Sequence, residues 1–346
     1  MYSLEQDYKL NSRNKIMKIV LFSILTFFMF ILDISTGPLP INFYDVVKSI
    51  LGMDLSNPKY TMIIIDVRLP VALMAILVGI FLSLSGAQMQ TILNNPMADP
   101  FILGISSGAS LGAGLAIVFG FSAFGVVGQY MIVGNAFLFA IGASCIVYFV
   151  SKMRSVTSET MILAGIAIMF GCSAILSILQ LLATERALKM LTFWNMGSLT
   201  GANWFVIKLF TIALIIVLPF FIKNVWALTI LRLGDENAKS LGVSVESLRM
   251  RVLFIVSLLS AVVVSFVGTI GFIGLVAPHI ARLMVGEEQR FFIPLTAVMG
   301  AFILICTSYL SKIIIPGMIL PIGVITSVVG LPFFMFMILK NKKNAF

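Results

Sequence analysis

The sequence predicts an all-α, polytopic membrane protein with about ten transmembrane helices. Sixty per cent of its 346 residues are hydrophobic and only 11 per cent are charged, against about 25 per cent charged in a soluble domain. Mean hydropathy is +1.10. Long charge-free stretches recur along the chain: Leu69 to Ala98, Pro100 to Ser151, Thr160 to Thr184, Val252 to Pro278, Phe291 to Ser311 and Ile313 to Leu339. A helix needs about 20 apolar residues to cross a hydrocarbon core of about 30 Å. Cytosolic enzymes, secreted disulfide scaffolds and disordered tails are excluded.

The spans follow in order. Arg13, Lys15 and Lys18 precede the apolar run Ile19 to Leu32, which meets Asp33 and Gly37-Pro38 without a small-x-small cleavage site. A retained first span at 16–36 is expected. The second is expected at 62–87. The stretch Pro100 to Ser151 holds two, at 99–119 and 128–150, separated by the turn-rich section Gly120 to Gly128. Spans at 160–183, 203–223 and 249–270 come next. The glycine-rich GTIGFIG, Gly268 to Gly274, is a bend leading to a short eighth helix at 274–286. Pro316-Gly317 separates the last two, 292–313 and 321–340. The whole chain, 1–346, is expected to be a single transmembrane domain.

Positive charge tests the topology. With the N-terminus inside, the internal segments hold 16 basic residues: Lys9, Arg13, Lys15, Lys18, Lys152, Arg154, Lys223, Arg232, Lys239, Arg249, Arg251, Arg282, Arg290, Lys340, Lys342 and Lys343. The outside keeps seven: Lys48, Lys59, Arg68, Arg186, Lys189, Lys208 and Lys312. This bias supports both termini in the cytoplasm and an even number of spans, and ten spans or eight with two re-entrant segments satisfy it alike. It also accounts for the net charge of +9 without nucleic acid as a partner; the surrounding partner is membrane lipid.

No span carries an acidic or basic residue near its centre, so the intramembrane relays of ion-coupled carriers are missing. No Gly-x-x-x-x-Gly-Lys-Ser/Thr occurs, so a nucleotide motor would sit on another chain. Cys145, Cys172 and Cys306 lie in apolar runs without metal spacing, and His279 is the one histidine; no metal site is expected. Gly104, Gly108 and Gly112 recur every four residues and suggest a smooth stripe for close helix packing. Asp99 is expected to cap the third span, and Asn94 and Asn95 before Pro96 to form a turn. The longest internal loop, 224–248, contains LGDENAKSLGV. Asp235 and Glu236 suit the start of a short helix, and Gly242 its end.

Seven motifs in collinear order resemble the membrane subunit of binding-protein-dependent ABC importers for iron-siderophore, haem and cobalamin, the FecCD-type permeases. They are Arg68 to Pro70; Gly86 to Ala109, with Asn95-Pro96 and Asp99-Pro100; Leu163 to Ala167; Trp194 to Leu199; Leu233 to Val243; Ile270 to Gly286; and Leu320 to Phe334. The resemblance implies a ten-span permease in the cytoplasmic membrane, forming a homodimer or sometimes a heterodimer. Two ATPase subunits would bind inside and carry ATP and Mg, this chain binding no cofactor. An external binding protein would deliver the ligand. The resemblance makes 224–248 the ATPase-coupling loop, with Gly234, Asp235, Glu236, Ala238, Leu241 and Gly242 as coupling residues. It makes Asn95, Pro96, Asp99, Pro100, Gly104, Gly108 and Gly112 a packing and translocation signature, and Arg68 and Lys312 the contacts for the binding protein. The second arginine of the family's RLPR is Val71 here, the acid expected near the end of span 9 is Ser308, and the glutamate before the final LPxG is Ile319. These departures thin the outer docking set.

The expected activity is transport of a metal chelate, Fe(III)-siderophore first, with corrinoid, haem and oxyanion as other cargoes. An ion-coupled secondary carrier is the alternative class, and a membrane enzyme would need a polar catalytic cluster that the sequence does not supply.

Overall fold

The computed structural model describes residues 2–39, 41–53, 58–120, 124–154 and 157–341. Lys342 and Lys343 of the charge count, and residues 121–123 of the expected turn, lie outside them. The helices are α1 (Tyr2–Ser35), α2 (Phe43–Ile50), α3 (Pro58–Met62), α4 (Leu69–Ile92), α5 (Ile105–Val118), α6 (Gly125–Arg154), α7 (Ser158–Leu182) and α8 (Glu185–Asn195). They continue as α9 (Trp204–Leu231), α10 (Asp235–Ser240), α11 (Val245–Val267), α12 (Ile273–Val285), α13 (Gln289–Ile313) and α14 (Ile322–Asn341). A wide π-type stretch, Ile63–Arg68, joins α3 to α4, giving one apolar helix over Pro58–Ile92.

Among the described residues, seven helices are long and apolar enough to cross a membrane, and three more apolar helices, at Ile105–Val118, Ile273–Val285 and Ile322–Met335, are shorter. All ten expected spans are therefore present as helices. Two short helices, α2 and α8, lie outside the ten expected spans. Both are amphipathic and capped, by the Asn42 and Thr184 side chains. Span-counting registers long apolar runs and passes over such pieces. The internal loop is also narrower than 224–248. The apolar Val225 to Ile230 continues α9 to Leu231, and α11 begins at Val245, leaving 232–244.

The contacts divide the chain into two compact units. The first comprises Met1–Leu84, Ala202–Thr229 and Val276–Leu320. In it α1 and α13 run parallel. Lys15 Nζ lies 3.2 Å from Glu288 Oε2 at one end, Phe22 meets Phe302 edge-on at 5.6 Å midway, and Lys312 Nζ lies 2.7 Å from Asp33 Oδ2 at the other end. Gly79 and Gly300 face each other so closely that a Cβ on either would strike the other's carbonyl.

The second unit comprises Ser85–Gly201, Ile230–Leu275 and Pro321–Phe346. Its centre is α5, whose residues from Gly108 to Gly114 are all buried. A Cβ on Gly108 would come within 2.8 Å of the Phe139 carbonyl of α6, and one on Gly112 would strike the Asn135 carbonyl. The two glycines therefore let the α5 and α6 backbones touch. Gly104 is not part of that stripe. It precedes α5 with φ +76°, and its N–H closes the preceding turn on the Phe101 carbonyl at 3.0 Å. Only a residue without a Cβ enters that conformation readily.

Candidate functional site

The short helix expected to start at Asp235 and Glu236 and to end at Gly242 is present as α10. Gly234 (φ +96°) lets the chain turn sharply after α9, and Gly242 (φ +81°) turns it again before α11. Ala238 is fully buried and anchors the six-residue helix. Its carbonyl accepts the Val243 N–H at 2.9 Å, while the Gly242 N–H donates to the Lys239 carbonyl at 2.9 Å. These bonds close the C-terminal end in the manner of a glycine cap. Glu236 is exposed and pairs loosely with Lys239 at 3.6 Å. Leu233 and Leu241, on either side of the helix, are 60 % and 61 % exposed.

What fixes this piece to the rest of the unit is Arg249 on α11, whose side chain is almost wholly buried. Its guanidinium donates from Nη1 and Nη2 to Asp235 at 3.1 and 3.0 Å, a two-pronged ion pair. Its Nε donates to the Ile92 carbonyl at the end of α4 at 2.7 Å. The planar fork suits this geometry in a way that a lysine would not. Arg232 reinforces the joint from the other side of the loop, donating to the Asn94 side chain at 3.0 Å and the Gln90 carbonyl at 3.3 Å. The last carbonyls of α4 thus serve as acceptors for two arginines that bracket α10, a charge arrangement favoured at a helix C-terminus. In the sequence, Arg232 and Arg249 stand out only as basic residues of the expected internal segments. Their position at the edges of apolar runs flanking the loop was the available signal.

The signature after α4 is a compact turn in the same unit. Asn94 takes a left-handed conformation (φ 47°). The Asn95 side chain accepts the Met97 N–H at 2.9 Å, an Asx turn whose middle residue, Pro96, has no N–H to donate. Asp99 accepts the Phe101 N–H at 2.8 Å and Pro100 opens a single 3₁₀ turn, Pro100–Leu103. The cap therefore sits on this turn, which ends at Gly104, and not on α5 itself. Burial lifts the Asp99 carboxyl to about 6, opposed by the Phe101 N–H, which favours the charged form.

Arg68 and Lys312 come together, but inward. Arg68 is 7 % exposed. Its guanidinium donates to the carbonyls of Ile34 and Ser35 at 2.9 and 3.0 Å, and to that of Leu39. Lys312 Nζ is bound to the Asp33 carboxylate at 2.7 Å and to the Asp33 carbonyl at 2.9 Å. Both cations are spent on the C-terminal end of α1, and neither presents its charge to solvent. The acid that complements Lys312 comes from span 1, a long-range pairing that the order of motifs could not indicate.

A many-helix apolar chain with no nucleotide-binding motif and a rigid, leucine-flanked helix between two spans has the form of the membrane-spanning permease subunit of an ABC transporter. The chain belongs to the FecCD transport family, whose profile matches residues 25–340. It is similar to the hemin transport system permease of Yersinia pestis, with 36 % identity over 81 % of this chain and 84 % of that one. It is also similar to the Fe(3+)-citrate import system permease of Bacillus subtilis, with 32 % identity over 94 % and 96 %. A solved structure described as an inward-facing conformation of a metal-chelate type ABC transporter superposes with a TM-score of 0.82. It shares 29 % identity and covers 93 % of this chain and 98 % of that one. The chain is accordingly an importer's transport subunit, and not an enzyme.

Proposed function

We propose that this permease carries a metal chelate, Fe(III)-siderophore first, through the cytoplasmic membrane with both termini inside. It would act as a homodimer with two ATPase subunits, which hold ATP and Mg, and take its cargo from an external binding protein. The carrying observation is the Arg249 clamp. A short helix displaying Leu233 and Leu241 is tied by a two-pronged ion pair and a buried bond to the end of α4. ATPase closure pressing on α10 would move Asp235, Arg249 and the end of α4 as one piece, because the joint is charged, buried and short. Such a lever converts a contact at the surface into movement of a spanning helix. Gly234 and Gly242 form its corners, and Ala238 and Leu241 its inner and outer faces. The Asn95 to Gly104 turn, immediately after the moving end, passes the shift to α5 through Pro96, Asp99 and Pro100. The cargo assignment is supported by the haem and Fe(3+)-citrate named for the two relatives.

Binding-protein docking needs charges that solvent can reach. With Arg68 and Lys312 turned inward, we assign it to Arg186 and Lys189, both exposed on α8, the helix that buries only Ala187 and Leu191. Such rim charges act chiefly on association rate and orientation.

The test is uptake of labelled Fe(III)-siderophore and labelled cobalamin by cells with and without the gene. Loss of iron uptake alone is expected. Loss of cobalamin uptake alone keeps the mechanism and changes the cargo. In the same cells Gly242→Arg should abolish uptake while the protein still inserts, since the left-handed corner is lost and a long cation enters the docking face. Normal uptake by this variant would sink the coupling assignment.

A further inference from the structure

We infer that the corner where the N-terminal part of α1 meets the α12–α13 turn is a binding site for the phosphate headgroup of an anionic phospholipid. Lys18 is followed by the charge-free run Ile19 to Leu32, and Arg290 by the charge-free run Phe291 to Ser311. The two parallel helices α1 and α13 therefore enter hydrocarbon at the same level, and Lys18 and Arg290, which precede those runs, lie at headgroup depth. Lys15 Nζ and the Arg290 guanidinium stand 4.9 and 5.4 Å from the centre of the same ring, Phe291, which is itself buried. Lys18 Nζ donates at 2.6 Å to the Met284 carbonyl in the last turn of α12, which fixes it on this corner. Between Leu10 and Lys18 and between Arg282 and Arg290 there are five basic side chains, Arg13, Lys15, Lys18, Arg282 and Arg290, against two carboxylates. Glu287 is taken by Arg282 at 3.2 Å and Glu288 by Lys15 at 3.2 Å. Positive charge therefore stays in excess, and Arg13 and Arg290 are exposed.

The surroundings select a lipid over a soluble anion. Ile16, Met17, Val20 and Leu283 are all half or more exposed beside these cations. A phosphate bound here would have its acyl chains laid on that apolar surface. Basic residues at the membrane surface attract anionic lipid with a roughly fivefold gain in affinity for each cation. Lys15 and Lys18 are already anchored within the fold, so less side-chain freedom is lost when a headgroup arrives.

The test uses the full chain, delipidated in neutral detergent and titrated with phosphatidylglycerol or phosphatidylcholine, with retained lipid counted by native mass spectrometry. Phosphatidylglycerol should be held preferentially. Arg13→Gln and Arg290→Gln should each weaken it roughly fivefold, and the pair together roughly 25-fold. Glu288→Gln, which frees Lys15 from its internal carboxylate, should tighten it, a gain that a damaged fold would not produce. Equal retention of the two lipids, or a double variant that binds as the parent does, would overturn the inference. Complete displacement by inorganic phosphate at the lipid's own concentration would also overturn it, by making this a site for a free anion.

Discussion

Two buried charges in this chain do opposite things. Asp99 is held without a cation among the described residues, and burial raises its carboxyl to about 6. An acid whose native value lies above its unfolded one costs stability once it ionises. The loss sets in above about pH 4 and is complete above about pH 6. At two units it amounts to about 2–3 kcal/mol. Asp99→Asn keeps an oxygen for the Phe101 N–H and removes the charge. Its thermal unfolding temperature in detergent should exceed the parent's by several degrees at pH 7.5, and the gap should close near pH 4. A gap of the same size at both pH values would mean that ionisation is not its cause. Arg249, by contrast, is buried with a carboxylate and a carbonyl aimed at it. Arg249→Ala strands the Ile92 carbonyl and frees α10. Because Asp235 is 43 % exposed, the cost to folding should stay near 1–2 kcal/mol, below that of breaking a fully buried pair. Uptake should nonetheless fall at least about tenfold, with helix content by circular dichroism unchanged. Uptake within twofold of the parent would remove Arg249 from the coupling path.

At the scale of the element, the contact of α5 with α6 rests on two missing methyl groups. Gly112→Leu would place a branched side chain where the Asn135 carbonyl already sits. Neither backbone can yield without disturbing the rest of α5, whose middle is buried throughout. A loss of 3 kcal/mol or more is expected, read as a collapse in the yield of monodisperse protein. Gly134→Leu on α6, where an added Cβ meets nothing within 4 Å, should leave the yield unchanged. This contrast also shows what the sequence could reveal. The i, i+4 spacing of Gly108 and Gly112 announced a close contact, and the apolar runs announced the ten helices, because both signals are local. Gly104 fitted the same spacing and belongs to a turn, since periodicity does not register φ. The ends of α10 were legible from Gly234, Asp235 and Gly242. Its attachment was not, because Arg249 reaches Ile92 across more than 150 positions of chain. Arg68 and Lys312, expected as one docking set, do lie together at the C-terminal end of α1. Their inward turn depended on Asp33 and on the open carbonyls of α1, partners set by packing and not by motif.

At the scale of the whole molecule, the position of α10 relative to the membrane decides whether the proposed lever can work at all. The 16 to 7 division of basic residues predicts α10 inside and α8 outside. Between them stands α9, 28 residues long with no acidic residue, about 42 Å at 1.5 Å per residue and ample for one crossing. Orientation can be read by single cysteines once Cys145, Cys172 and Cys306 are replaced by alanine. Arg186→Cys on α8 should react with a membrane-impermeant maleimide in intact cells. Leu241→Cys, more than half exposed at the end of α10, should react only in inside-out vesicles. Reversed labelling would place α10 where no ATPase can reach it, and would leave Leu233 and Leu241 to some external partner. Labelling of both from one side would remove α9 as a crossing helix, and with it the even count on which both termini inside depends. Only the expected pattern puts a rigid, charge-clamped helix on the face where nucleotide is found, with exposed Arg186 and Lys189 on the face where cargo arrives.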